Sequence, residues 1–453
     1  IQLYFFDNVE NIWINLDNKD TGAGGSYTFS KLVAGNYRLT EVLKANWVRT
    51  YPPSPGSHYI TLSEGENRSG VNFGNILIMH GVEVSISPPY QSGSNGEALY
   101  YTVTVANTGN VSDTYDLSVS DDLLWGPSVS PTSLAVPAGE NKTATLSVTI
   151  PNNAIGCTQD IITVTATSRS DSVSDNASCI AHVTIARGVQ VLIAPPSQEN
   201  ENGGTLAYTV TVKNTGNVGE NFQLTKGDNA VWTLSLNDNW LLVPKGENRT
   251  TRLTVTIPTN ARGCTWDNIW VKATSKDNAA AFDNKSCLAH VKVVRGVDVS
   301  ISPDNQSGLP GATLDYIVTV KNTGNVPDNY GLENVDTLGW SLSLGFLIEV
   351  PAGENRTTTL TVDIPGGAHG CTEDKITVIT TSKADNTVRD NASCTAHVEN
   401  VYGVGVSISP PENSAKPGRS TTFTVTVTNT GNITDTYDLT VSDNLGWGPT
   451  LSP

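Results

Sequence analysis

Along the stretch "YYTVTVANTGN" apolar residues occupy alternate positions: Tyr101, Val103 and Val105 share one face, while Tyr100, Thr102 and Thr104 share the other. A period of two predicts a strand with one buried side, because successive side chains leave an extended backbone in opposite directions. The same pattern returns with Tyr208, Val210 and Val212, with Tyr316, Val318 and Val320, and with Phe423, Val425 and Val427. These positions are the expected core. The NTGN that follows is a turn, since its Gly can take positive φ and its Asn side chains can bond the local backbone. Further strands are predicted in "DTYDLSVS", "SLAVP", "KTATLSVTIP", "DIITVTATS" and "SCIAHVTI", parted by Gly, Pro, Asn and Asp clusters. With the opening "VEVSISP" this makes seven or so strands in each unit, which fits a two-sheet sandwich.

The spacing of the copies is regular. The first Asn of NTGN is Asn107, Asn214, Asn322 and Asn429, so the steps are 107, 108 and 107 residues. Gly81, Gly188, Gly296 and Gly403 open the copies, and Trp125, Trp232, Trp340 and Trp447 keep the same step and are expected to plug each core. A period near 107 is longer than a solenoid repeat, and such a unit is long enough to fold alone. The predicted domains are 1–78, 79–187, 188–295, 296–402 and an incomplete 403–453. The fold class is all-β: tandem immunoglobulin-like sandwiches in a beads-on-a-string rod.

The pattern "VSISP…PG…TVTVTNTGN…DTYDLTVS…GW" resembles the NEW3-like and CARDB-like immunoglobulin-type modules found in tandem in archaeal and bacterial surface proteins and beside some secreted glycosidases. That resemblance covers residues 81 to 453. The first 75 or so residues, with "GGSYTFSKLVAGNYRLTEV", look like the carboxy-terminal part of an SdrD-type B module, a prealbumin-like β-domain. The resemblance implies a Ca²⁺ loop rich in Asp. Its nearest match is Asp17, Asn18 and Asp20, a cluster that equally suits a plain turn. No other cofactor is expected. The final copy stops at Pro453, less than halfway through its unit, so the polypeptide is expected to continue or to take its missing strands from another chain.

The formal net charge is -17 and no basic cluster occurs, which argues against nucleic acid or an anionic membrane surface as partner. No apolar run approaches the roughly 20 residues of a membrane helix. The six cysteines follow the repeat, two to each full copy, which predicts disulfides in an oxidising space. Pairing Cys157 with Cys179, Cys264 with Cys287 and Cys371 with Cys394 leaves no orphan and would stabilise each copy by roughly 3 kcal/mol. It requires the loop before each first Cys to fold back. Otherwise Cys157 would face Cys287, and Cys264 would face Cys394, across the junctions.

Ten N-x-S/T sequons occur. Asn141, Asn248 and Asn355 share one turn, and Asn176, Asn284 and Asn391 each precede the second Cys by three residues. Both sets are expected in exposed loops open to glycans, which would add mass to the intact chain. No nucleophile elbow, HExxH, P-loop or dinucleotide motif is present, and the residues shared between copies are core, turn and Cys positions, so no enzyme activity is expected. Two functions fit: a structural cell-surface protein, as stalk, adhesin, filament or S-layer component, or the accessory region of a large secreted enzyme that spaces modules or binds sugar. Self-association, neighbouring surface proteins and glycans are the expected partners, and the location is extracellular.

Overall fold

The computed structural model describes residues 1–346 and 349–452. Every regular element among them is a β-strand. The chain forms two compact units, residues 1–187 with 215–219, and residues 188–214 with 220 onward.

The first unit opens with β1 (Gln2–Asp7), β2 (Ile12–Asn18), β3 (Gly35–Thr40), β4 (Trp47–Tyr51), β5 (Ser57–Leu62) and β6 (Gly74–Leu77). They form a sheet in the order β2-β1-β3-β5 and a separate β4-β6 pair around a small core of Leu3, Tyr37 and Leu39.

The first full repeat contains β7 (Val82–Ser87), β8 (Tyr90–Gly93), β9 (Ala98–Asn107), β10 (Asp113–Asp121), β11 (Ser128–Ser130), β12 (Ser133–Val136), β13 (Asn141–Thr149), β14 (Gln159–Ser168) and β15 (Ser174–Val183). A β11-β13-β9-β7 sheet faces a β12-β10-β14-β15-β8 sheet. The alternation read from the sequence sets the inner face: Tyr101, Val103 and Val105 are at most 1 % exposed.

The opening strand differs from expectation. It divides into β7, antiparallel to β9, and β8, parallel to β15. Pro88 and Pro89 stand between the two and offer no N–H, so pairing breaks there and the chain passes to the other sheet.

The NTGN turn also differs in one respect. Asn107 acts locally as predicted: its side-chain oxygen accepts from the Gly109 amide at 2.9 Å, and its amide donates to the carbonyls of Val111 and Val136 at 2.7 and 3.0 Å. Gly109, however, is not among the positive-φ glycines. It is glycine because a Cβ there would lie 2.4 Å from the Met79 carbonyl; at Gly324 the same atom would meet the Val294 carbonyl at 2.5 Å. The requirement is close approach of two backbones, not a left-handed dihedral.

In the second unit the same two-sheet arrangement occurs twice, around cores centred on Tyr208 with Phe222 and on Tyr316 with Tyr330. Trp125, Trp232 and Trp340 pack, partly buried, against their own cores, as expected. In the last segment Val404–Ser409 pairs with Thr424–Asn429, and Val406, Ile408 and Trp447 are exposed.

Candidate functional site at the repeat junctions

The second asparagine of each NTGN turn holds the segment that leads into its own repeat. In the second unit, two hydrogen bonds join Asn325 to Val294: the Asn325 amide donates to the Val294 carbonyl at 2.9 Å, and the Val294 amide donates to the Asn325 side-chain Oδ1 at 2.9 Å. Asn325 Nδ2 donates to the Lys292 carbonyl at 2.8 Å and to Asn202 Oδ1 at 3.3 Å. Its own carbonyl accepts from the Gly263 amide at 3.0 Å, so the loop between two strands of the preceding sandwich is tied in as well.

The pattern recurs with Asn432, which bonds Val401 through backbone and side chain, donates to the Glu399 carbonyl and accepts from Gly370. In the first unit Asn217, on the turn 215–219, does the same with Ala186, Thr184 and Gly156, and also donates to Asn95. Asn110 holds Met79 and Leu77. An asparagine suits this place because one side chain supplies both an acceptor and two donors.

The glycine before each first cysteine belongs to the same site. A Cβ on Gly156 or Gly263 would stand 2.5 Å from the side-chain oxygen of Asn217 or Asn325, and one on Gly370 would stand 3.0 Å from that of Asn432. These residues were missed in the sequence as junction elements, although "IGC", "RGC" and "HGC" fall in step with NTGN and so carried the signal.

A charge also recurs beside the junction. The residue before the opening Gly is His80, Arg187 or Arg295 in the three full repeats. Arg295 Nη1 lies 3.0 Å from buried Asp328, and His80 Nδ1 lies 2.9 Å from buried Asp113. Burial alone would raise the carboxyl of Asp113, but hydrogen bonds from Ser168, Ser170, the Thr114 amide and His80 outweigh it and hold it below the usual carboxylate value.

The cysteines require a correction. All six are free thiols in this structure: Cys157, Cys264 and Cys371 are exposed, and Cys179, Cys287 and Cys394 are buried in their own cores. Cys157 stands two residues before Gln159, which pairs with His182, whereas Cys179 faces Ile162. Five residues of strand span about 17 Å, and bridged Cα atoms lie within about 7 Å. The loop does not fold back; the Cys157 amide donates to the Val183 carbonyl and the residue adopts φ 68°. Enclosure in a separate core removes Cys287 and Cys394 from pairing across a junction too. Burial pushes the thiols of Cys179 and Cys287 up to about 12 and that of Cys394 up to about 11, with a nearby Asp adding to each. Ellman's reagent is expected to modify three thiols per native chain rapidly at pH 8 and the other three only after denaturation. Six unreactive sulfurs under both conditions would restore the disulfide reading.

Other predicted sites are also placed. Asp17 and Asn18 end β2, where neighbours point to opposite faces, Asp17 pairs with Lys19 at 3.5 Å, and Asp20 lies beyond the strand. Asn141, Asn248 and Asn355 each begin a strand, and Asn176, Asn284 and Asn391 lie within strands rather than in loops; all six are exposed. The sequons at Asn110 and Asn432 have their side chains engaged at junctions.

No family profile matches the chain, and no curated protein matches it. Among solved structures, the protocadherin gamma B4 extracellular domain is similar at 13 % identity, with a TM-score of 0.38, over 85 % of this chain and 66 % of that one. Mouse cadherin-23 EC22-24 gives 14 % identity, a TM-score of 0.34, and covers 70 % of this chain and 98 % of its own. The ICAM-5 D1-D4 ectodomain fragment gives 13 %, 0.30, 73 % and 80 %. At such scores the likeness carries no argument about function. Among the described residues no helix is long and apolar enough to cross a membrane.

Proposed function

We propose that this chain is an extracellular structural protein, a stalk, filament or S-layer-type component whose copies associate with one another or with neighbouring surface proteins, and not an enzyme. The observation that carries this reading is the recurrence of one asparagine clamp, with the same backbone and side-chain bonds at Asn110, Asn217, Asn325 and Asn432. What the repeats share is the means of fixing one joint after another; a flexible spacer has no use for it. The resemblance to NEW3-like, CARDB-like and SdrD-type modules belongs to the same proposal, as does glycan attachment at the exposed sequons. Small-angle scattering tests the stiffness. A compact chain of this length has a radius of gyration of about 22 Å, whereas a string of sandwiches each about 35 to 40 Å long is expected to give about 40 Å or more; a value near the compact figure sinks the reading.

One observation favours the second function, sugar binding beside an enzyme. On the outer face of the amino-terminal sheet, Trp13 packs against Phe6 and Tyr59, with ring centroids 5.0 and 5.6 Å apart, and the Arg38 guanidinium lies 4.4 Å from the Tyr4 ring centre. Aromatic faces with adjacent polar groups stack on pyranose rings. Affinity electrophoresis in polysaccharide gels would carry this reading if the chain were retarded and Trp13→Ala abolished the retardation; equal mobility in every gel would dismiss it.

A further inference from the structure

Among the described residues, His80, Asp113 and Asp171 form a group whose ligating atoms all lie within 4.8 Å of one another. His80 is on the segment joining β6 to β7, Asp113 begins β10, and Asp171 is in the turn between β14 and β15. Nothing in the structural role described above needs three such groups together.

The third repeat shows what this place is built to hold. Its counterparts of these residues are Arg295, Asp328 and Asp385. Ser382 Oγ donates to Asp328 Oδ2 at 2.6 Å, as Ser168 does to Asp113 at 2.6 Å. The carboxyl of Asp385 is held below its ordinary value by hydrogen bonds from Thr387, with the Arg295 charge adding to them. A permanent cation therefore sits against a buried carboxylate with a second carboxylate beside it. In the first repeat the two carboxylates remain, but histidine has replaced arginine. A guanidinium brings charge and no lone pair, whereas an imidazole offers a ligand nitrogen, here 2.9 Å from Asp113 Oδ2.

We propose that His80, Asp113 and Asp171 bind one divalent first-row transition ion, which supplies the positive charge that Arg295 supplies in the third repeat. One nitrogen and two carboxylate donors suit Zn²⁺ and its neighbours, whereas Ca²⁺ takes six to eight oxygens. Such ions draw their ligands to about 2.0–2.2 Å. Asp171 is exposed; its Oδ1 accepts the Val173 amide at 3.1 Å, which leaves the other oxygen to close that distance, and its exposure admits water to the remaining positions. Asp113 Oδ1 is already held by Ser170 at 2.9 Å and by the Thr114 amide at 2.7 Å, which fixes the carboxylate as outer-shell partners do. The bound ion would fasten the entering segment to two elements of the first sandwich.

Calorimetric titration of the whole chain with Zn²⁺, its exposed thiols first blocked with iodoacetamide, tests the site. The expected result is one equivalent bound by the wild type, none at this affinity by His80→Arg, and binding at least tenfold weaker in Asp171→Asn. His80→Arg copies the third repeat, so it is expected to fold. Equal zinc binding by the wild type and His80→Arg overturns the proposal. So does a wild-type thermal midpoint at neutral pH that is the same in zinc as in chelator.

Discussion

Replacing Asn325 by Ala is expected to raise amide exchange at Val294 by about 30- to 100-fold while leaving the strands of the third core protected. The side chain is 7 % exposed and accepts the Val294 amide while donating to the Lys292 carbonyl. Removing it strands the Val294 amide and the Lys292 carbonyl at a part-buried site, and an unmade buried hydrogen bond costs about 1–3 kcal/mol. Two such groups, with partial relaxation, give roughly 2–3 kcal/mol, and each 1.4 kcal/mol is tenfold in the opening equilibrium. Asn325→Asp is expected to be no better, because the oxygen that replaces Nδ2 would face the Lys292 carbonyl and Asn202 Oδ1. Gly263→Ala should loosen the same joint from the other side, its Cβ meeting Asn325 Oδ1 at 2.5 Å. Hydrogen exchange read by mass spectrometry checks all three, and unchanged protection around Val294 in Asn325→Ala would show that the clamp is incidental.

The second large effect is expected inside a sandwich. Asp267 is fully buried, and its Oδ1 accepts the amides of Asn229 and Ala230, both at 3.0 Å, while Oδ2 has no hydrogen-bond partner. Those bonds shape the turn in which Asp228 accepts the amide of Trp232, the residue that closes the core. Asp160 and Asp374 hold the matching turns in the other repeats. Asp267→Ala leaves two part-buried amides without their acceptor and should destabilise this sandwich by about 1–3 kcal/mol. Asp267→Asn keeps the acceptor and removes a buried charge, so it should be neutral or stabilising at neutral pH. Burial raises the carboxyl of Asp267 above its ordinary value, and neighbouring Asp228 adds to that against the two amide hydrogen bonds.

A group raised in the folded state favours folding most below its unfolded value, about 3.9, and loses that contribution as pH rises through the folded value. The advantage of Asp267→Asn over the wild type should therefore be absent near pH 4 and grow toward neutral pH. Urea unfolding followed by tryptophan emission suits the measurement, since Trp232, Trp240, Trp266 and Trp270 all lie in this repeat. If Asn and Ala at this position prove equally damaging, the turn depends on the charge and not on the acceptor.

Much of the fold was legible in the chain because it is set by local rules. Alternation of Tyr101, Val103 and Val105 named the inner face, and steps of 107 and 108 residues between Asn107, Asn214 and Asn322 marked copies of one unit. The core position of Trp125, Trp232 and Trp340 followed from the same register. The junction was half legible: NTGN could be read as a turn from its own residues, but not as the clamp on Met79 or Val294, whose partners lie outside the turn.

Sequence by itself thus determined the strands, the faces they bury and the period at which they recur, since these depend on side chains within a few residues of one another. Only the tertiary structure decided three things. The β14–β15 register separated Cys157 from Cys179 by five residues of strand, although their spacing invited a bridge. Close passage of two backbones, invisible in any single stretch, demanded glycine at Gly109 and Gly263. And the meeting of a linker, a strand end and a distant turn placed His80 against Asp113 and Asp171, because which charges become neighbours depends on where separate elements pack.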